Sequence, residues 1–147
     1  MTSYKGVDLV NVGENSINIL DDSILDDVKK SDLAIFIGGL DATWEGEEMP
    51  GGINVEGFYN GDRTTIELPK IQQNAIKKMM ETGTPVVLVL MAGSSIALNG
   101  LEEELEAILM AWYPGQRGGD AIASVLFGEY NPGGKLPVTF YKSTSDL

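Results

Sequence analysis

Six consecutive apolar residues, Val86-Val87-Leu88-Val89-Leu90-Met91, stand between Pro85 and the turn Ala92-Gly93-Ser94-Ser95. A β-branched run of that length without a polar side chain offers no face to water. It predicts a central strand of a parallel sheet, covered on both sides. A second such run, Leu33-Ala34-Ile35-Phe36-Ile37, follows the break Ser31-Asp32 and ends at Gly38-Gly39. It too lacks alternation and is predicted to be covered on both faces. Ahead of the first run, Leu68-Pro69 opens a helix whose apolar stripe is Ile71, Ala75, Ile76, Met79 and Met80, and Gly83 stops it.

The remaining elements follow the same alternation. Val7 to Val12 alternates apolar and polar and predicts a short strand near an edge. Asp21 to Lys30 predicts a helix with acidic residues early and lysines late, as its dipole prefers. Leu101 to Glu106 is acidic and helix-favouring. Ala107 to Tyr113 is wholly apolar and reads as a third core strand, although a buried helix would show the same pattern. Asp120 is placed to cap a helix running through Phe127, with Ile122, Val125 and Leu126 facing in and Gly128 ending it. Leu136 to Phe140 reads as a last strand, its Pro137 suiting an edge. The tail from Ser143 is polar and expected to be loose. Strands alternating with helices imply βαβ units, hence an α/β, flavodoxin-like three-layer sandwich with a mainly parallel sheet and an antiparallel edge strand. The 147 residues suit one domain, with no internal repeat and no linker.

One connection is far too long for this scheme. From Gly38 to Pro69 about 25 residues pass before the next helical pattern, whereas connections in compact domains are usually around 4–6 residues. After Gly38-Gly39 the stretch holds five glycines, the aromatics Trp44, Phe58 and Tyr59, and the acidic group Glu45, Glu47 and Glu48. A loop leaving the carboxyl end of a parallel strand lies where open α/β sheets put their chemistry. The loop is therefore the expected functional surface.

Composition narrows the chemistry. A net charge of −12 argues against nucleic acid and against anionic membranes, since both are bound through clustered Lys and Arg, while a neutral sugar is compatible with it. There is no Cys and no His, which removes disulfides, thiolate metal sites and every nucleophile–histidine arrangement. Acid–base work falls to carboxylates, Tyr or Lys. No apolar run reaches the roughly 18 residues of a membrane span, and Met1 to Gly6 lacks the apolar core of a signal peptide. The compartment is not legible from these features.

Glu45 is the leading candidate for chemistry. It follows Trp44 and precedes Gly46, and an apolar wall together with Glu47 and Glu48 would hold its carboxyl protonated, able to give a proton to a leaving oxygen. A solvated acidic loop would have the same spacing. Asp41, Glu45, Glu47 and Glu48 could also hold a divalent cation, but they lack the Asp-x-Asp-x-Asp-Gly order of a calcium loop. Asp62-Arg63 is the second feature: Arg63 can grip a carboxylate in a two-pronged fork, fixing the loop or steadying Glu45, or can be half of a surface pair. The glycine-rich turns at 115–119 and 133–134 lack the order of phosphate-binding loops and read as structural.

Glu45-Gly46-Glu47-Glu48, Val55-Glu56-Gly57, Gly61-Asp62-Arg63 and Leu68-Pro69 together resemble the catalytic loop in the second domain of family 3 glycoside hydrolases, the β-glucosidases and β-xylosidases. Ala111-Trp112-Tyr113-Pro114-Gly115-Gln116 with Gly118-Gly119, and Asn131-Pro132-Gly133-Gly134 running to Phe140, resemble two further signatures of that domain. The similarity extends from about Val7 onward. The Glu-Gly-Glu-Glu-Met form and Ala97-Leu98-Asn99 lean toward xylosidase-like members. The resemblance implies a retaining mechanism without a cofactor, acting on an oligosaccharide or aryl β-glycoside. It implies that a preceding (β/α)₈ barrel carries the nucleophile and that this domain's loop carries the acid/base. Glu45 matches that position, Glu47 is its rival, Glu48 and Glu56 are more distant candidates, and Trp44, Asp62 and Arg63 would bind substrate or orient the loop.

The resemblance takes in neither the family's barrel nor the strand–helix unit expected to open the second domain before Tyr4. The chain is accordingly expected to be inactive alone, and an exposed sheet edge could pair with a second copy. The non-catalytic alternative is a carbohydrate-binding or interaction module, with Trp44, Phe58, Tyr59 and Trp112 stacking on sugar faces.

Overall fold

The computed structural model describes residues 1–10, 20–45 and 54–147. Among these, a parallel sheet has the order β1-β4-β5, with β1 at Ala34–Gly39, β4 at Val86–Met91 and β5 at Ala107–Met110. Ala34 pairs with Val86 and Gly39 with Met91, while Val87 pairs with Ala107 and Leu90 with Met110. The expected central strand is therefore central. A small antiparallel hairpin joins β2, Phe58–Tyr59, to β3, Asp62–Arg63.

Helix α1, Asp22–Lys29, begins at Asp21, whose carboxylate accepts from the N–H groups of Ser23 and Ile24. Helix α2, Lys70–Glu81, starts after Pro69 and ends before Gly83, which takes the left-handed φ of +82° that stops it. Ile24 and Val28 of α1 and Ala75, Ile76 and Met79 of α2 join Ala34, Phe36, Val86, Leu88 and Leu90 in one buried cluster. Those strand residues share one face of the sheet. The result is an α/β sandwich whose carboxyl strand ends carry the long loop.

Several expectations give way. The opposite face is only partly covered: Val89 is buried, but Ile37 is 59% exposed. Among the described residues β1 lies at the edge of the sheet, and β4 is the strand beside Ile37. Residues 7–10 form no strand beyond a bridge at Val7, and Asn11 and Val12 lie outside the described residues. The third strand stops at Met110 because Trp112 adopts a left-handed φ of 55°, which no strand accommodates. Only a 3-10 turn, Leu101–Glu103, forms in the acidic segment.

Helix α3, Gly118–Leu126, starts before Asp120, so Asp120 is not its cap but pairs with Arg117 at 2.9 Å inside the first turn. Ile122, Val125 and Leu126 are half-buried. Residues 136–140 form no strand: Pro137 offers no ladder donor, and Leu136 and Val138 both stay half exposed. Antiparallel pairing is supplied by β2 and β3 instead. The tail is not loose, because Ser143 and Asp146 cap each other and Thr144 docks on Glu67.

Candidate active site

The strand exits define the site. At the end of β1, Gly39 has a φ of +124°, and a side chain there would run into the Met91 carbonyl. Gln72 of α2, almost fully buried, fastens this turn: its Oε1 accepts from Gly39 N–H at 2.8 Å, and its Nε2 donates to the carbonyls of Gly39 and Leu9 at 2.7 and 2.6 Å. Leu40 N–H then bonds the Met91 carbonyl at 2.8 Å. The chain turns through Asp41, whose carbonyl accepts from the N–H groups of Trp44 and Glu45, and Glu45 is brought back over the sheet's carboxyl edge.

There the Glu45 carboxylate meets groups from the other two strand exits. Gly93 N–H, just past β4, donates to Oε2 at 2.5 Å, and the Ser94 hydroxyl donates to Oε1. The Tyr113 phenol, just past β5, donates to Oε2. From the hairpin, Arg63 Nη1 stands 3.9 Å from Oε1 and donates to Ser94 Oγ at 2.9 Å. The same guanidinium reaches the carbonyls of Ser95 and Glu67 at 3.3 and 3.2 Å. The expected two-pronged grip on a carboxylate is thus replaced by a grip on backbone and hydroxyl oxygens, with Glu45 alongside. The Glu45 and Arg63 side chains are only 10% and 14% exposed.

This arrangement overturns the expected reason for a protonated Glu45. The Trp44 ring packs on Phe58 at 5.6 Å and sits against the core. Burial does push the Glu45 carboxyl up, but hydrogen bonds from Ser94, Tyr113 and Gly93, with the charge of Arg63, outweigh it and hold it below its ordinary 4.5. Burial and the bond to Glu45 push the Tyr113 phenol up to about 12. Glu45 is held as the anion.

The other predicted residues are not all gathered. Asp62 is exposed on the hairpin and is not among the groups bonded to Glu45. Glu47 and Glu48 lie outside the described residues, and with them the four-carboxylate cation site. Among the described residues no cluster could hold a metal. Of the aromatics proposed to stack on sugar, Phe58 is buried, Trp44 packs on Phe58, and Trp112 meets Phe140 edge-on at 6.1 Å. Tyr59 alone of the four projects freely. Sequence reasoning did not single out Gly93, Ser94 or Tyr113 as Glu45's partners. The available signal was that each follows a strand-length apolar run, at the carboxyl end where such sheets bind.

Residues 9–147 match the glycosyl hydrolase family 3 C-terminal domain. The chain is 56% identical over 113 residues to a xylan 1,4-β-xylosidase of Xylanibacter ruminicola, covering 77% of this chain and 13% of that protein. It is 35% identical over 155 residues to a periplasmic β-glucosidase of Salmonella typhimurium, covering all of this chain and 19% of that protein. Among solved structures it resembles a β-glucosidase from Listeria innocua in complex with gluconolactone, with a TM-score of 0.75 at 27% identity, over 95% of this chain and 17% of that one. The chain therefore spans less than a fifth of the length of these relatives.

Proposed function

The chain belongs to the glycosyl hydrolase family 3 C-terminal domains, and from that premise we propose that it supplies the general acid/base carboxyl of a retaining β-glycosidase acting on β-xylosides or β-glucosides. The observation that carries the reading is the convergence of the β4 and β5 exits on the Glu45 carboxylate, which the loop after β1 brings to them. The nucleophile belongs to a (β/α)₈ barrel domain docked over that edge, the two reacting carboxyls standing about 5–5.5 Å apart as retention requires. In this reading Glu45 is the acid/base. A docked barrel would exclude water and bring an anionic nucleophile near it, and both effects raise the carboxyl toward the protonated form that an acid needs. Without that partner the chain holds half of a two-carboxylate mechanism and hydrolyses nothing.

One observation favours a second assignment within the same mechanism. Glu45 already accepts three hydrogen bonds beside an arginine and is held anionic, which suits an anchor better than a proton donor. Glu47, two residues on, would then donate the proton while Glu45 seats the loop.

The test replaces each carboxylate in turn in a full-length enzyme carrying this domain. The true acid/base, changed to Gln, loses turnover of alkyl glycosides by about 10²–10⁴-fold. It largely keeps activated aryl glycosides once azide is added. Loss without azide rescue at both Glu45→Gln and Glu47→Gln would reject the acid/base reading. The chain alone and mixed with a matching barrel domain supplies the companion assay. Restored hydrolysis supports the enzyme part, whereas sugar binding without hydrolysis supports a binding module. An isolated chain would self-associate through the edge that β1 forms among the described residues, which sedimentation would detect.

A further inference from the structure

We infer that Tyr113 is a positioning residue of this site, its phenol latching the long loop onto the carboxyl edge of the sheet through Glu45. Tyr113 lies 68 residues from Glu45 in sequence, so the bond joins the exits of β1 and β5. Gly93 and Ser94, reached by the same carboxylate, bring in the exit of β4. One side chain thus ties together three strand ends that have no covalent reason to stay in register.

Two backbone features are built around this latch. Trp112, immediately before Tyr113, has a φ of 55°, a region that a bulky aromatic residue rarely enters and that persists only where surroundings hold it. The edge contact of its ring with Phe140 is part of that hold. The left-handed residue reverses the chain just past β5 where Tyr113 turns toward Glu45. Gly93 provides the space, because a Cβ there would lie 2.7 Å from the Tyr113 ring and 3.0 Å from Glu45 Oε2. The requirement at Gly93 is closeness alone, since its φ is not left-handed. The charged groups around the phenol are Glu45 and Asp41 from the loop after β1 and Arg63 from the hairpin, with Glu67 behind Arg63.

The inference rests on the proposed acid/base role only for its consequence, not for the latch. The latch is read in the 147-residue chain by following its tyrosine ring carbons by NMR from neutral to high pH. One tyrosine is expected to titrate near 12, to vanish in Tyr113→Phe, and to move down toward the ordinary 10 in Glu45→Gln. A Tyr113 that titrates near 10, or that ignores Glu45→Gln, overturns the latch. Because the Glu45→Gln shift is itself diagnostic, the latch stays testable even where Tyr113→Phe does not fold.

The consequence is read in a full-length enzyme carrying this domain. Tyr113→Phe is expected to lower kcat about tenfold or more for alkyl glycosides, which need protonic help, and little for dinitrophenyl glycosides, which do not. Equal losses on both substrates mean a merely structural tyrosine and overturn the positioning role. Absence of azide rescue at Glu45→Gln and Glu47→Gln instead defeats the acid/base reading and leaves the tyrosine titration standing.

Discussion

Arg63 meets Glu45 chiefly through an intermediary: its Nη1 donates to Ser94 Oγ at 2.9 Å, Ser94 in turn donates to Glu45 Oε1, and the direct charge separation is 3.9 Å. The guanidinium thus steadies the anion while spending its hydrogen bonds on Ser94 and the carbonyls of Ser95 and Glu67. The hairpin is thereby pinned to the exit of β4.

Arg63→Ala should destabilise the domain by about 3 kcal/mol, since it leaves a largely buried carboxylate without its counter-charge and two carbonyls without donors. Arg63→Lys should recover only part of that, because an ammonium cannot span the three acceptors in a fixed fork. Urea midpoints of the two variants check this. Equal stability of Lys and wild type would show that charge alone matters.

Acid should weaken the fold through Glu45. Its carboxyl is held below the ordinary 4.5, so the unfolded chain takes up the proton first as pH falls. The stabilisation is complete above about pH 4.5 and is lost as pH drops through the folded value. Glu67, held down by Thr144 against the upward push of burial, adds in the same direction. Thermal midpoints from pH 7 to 3 should fall less steeply in Glu45→Gln than in the wild type. Tyr113 works at the other limit: its folded value near 12 exceeds the ordinary 10, so its stabilisation is full below pH 10 and vanishes through 12.

Gly93→Ala should separate the site from the core. The nearest atoms to the new methyl group belong to the Tyr113 ring and Glu45 Oε2, so about 1–2 kcal/mol of stability is expected to go. The tyrosine titration near 12 should disappear with it. A variant that keeps that titration would place the phenol elsewhere.

Gln72→Leu should cost about 3 kcal/mol despite its apolar, helix-favouring side chain. It strands the N–H and carbonyl of Gly39 and the carbonyl of Leu9, all served by one buried amide. Gln72→Glu should be worse, because an oxygen would then face two carbonyl oxygens. Hydrogen exchange at Gly39 N–H reports the loss directly.

Thr144→Val should loosen the C-terminal tail, removing the hydroxyl that donates to Glu67 and accepts from Ile66 N–H at 3.0 Å. About 1–2 kcal/mol is expected, together with faster hydrogen exchange at Ile66. The tail looked loose in sequence because Ser, Thr and Asp favour solvent and docked turns equally, and only the partner decides between them.

Local physics made much of the chain readable without coordinates. A run such as Val86–Met91 points to a buried strand, the stripe Ile71, Ala75, Ile76 and Met79 shares one side of a helix, and Gly83 takes a φ that other residues rarely adopt. Those are properties of neighbours in sequence, and the fold class follows from their alternation. What tertiary structure alone decided was the company each side chain keeps. Glu45 draws its partners from 48, 49 and 68 residues away, and they reverse the charge state that its sequence neighbours suggested. A carboxylate's protonation depends on donors within a few ångströms, whichever part of the chain supplies them. Tertiary packing likewise left Ile37 half uncovered and set Trp112, past the end of β5, in a left-handed conformation against Phe140.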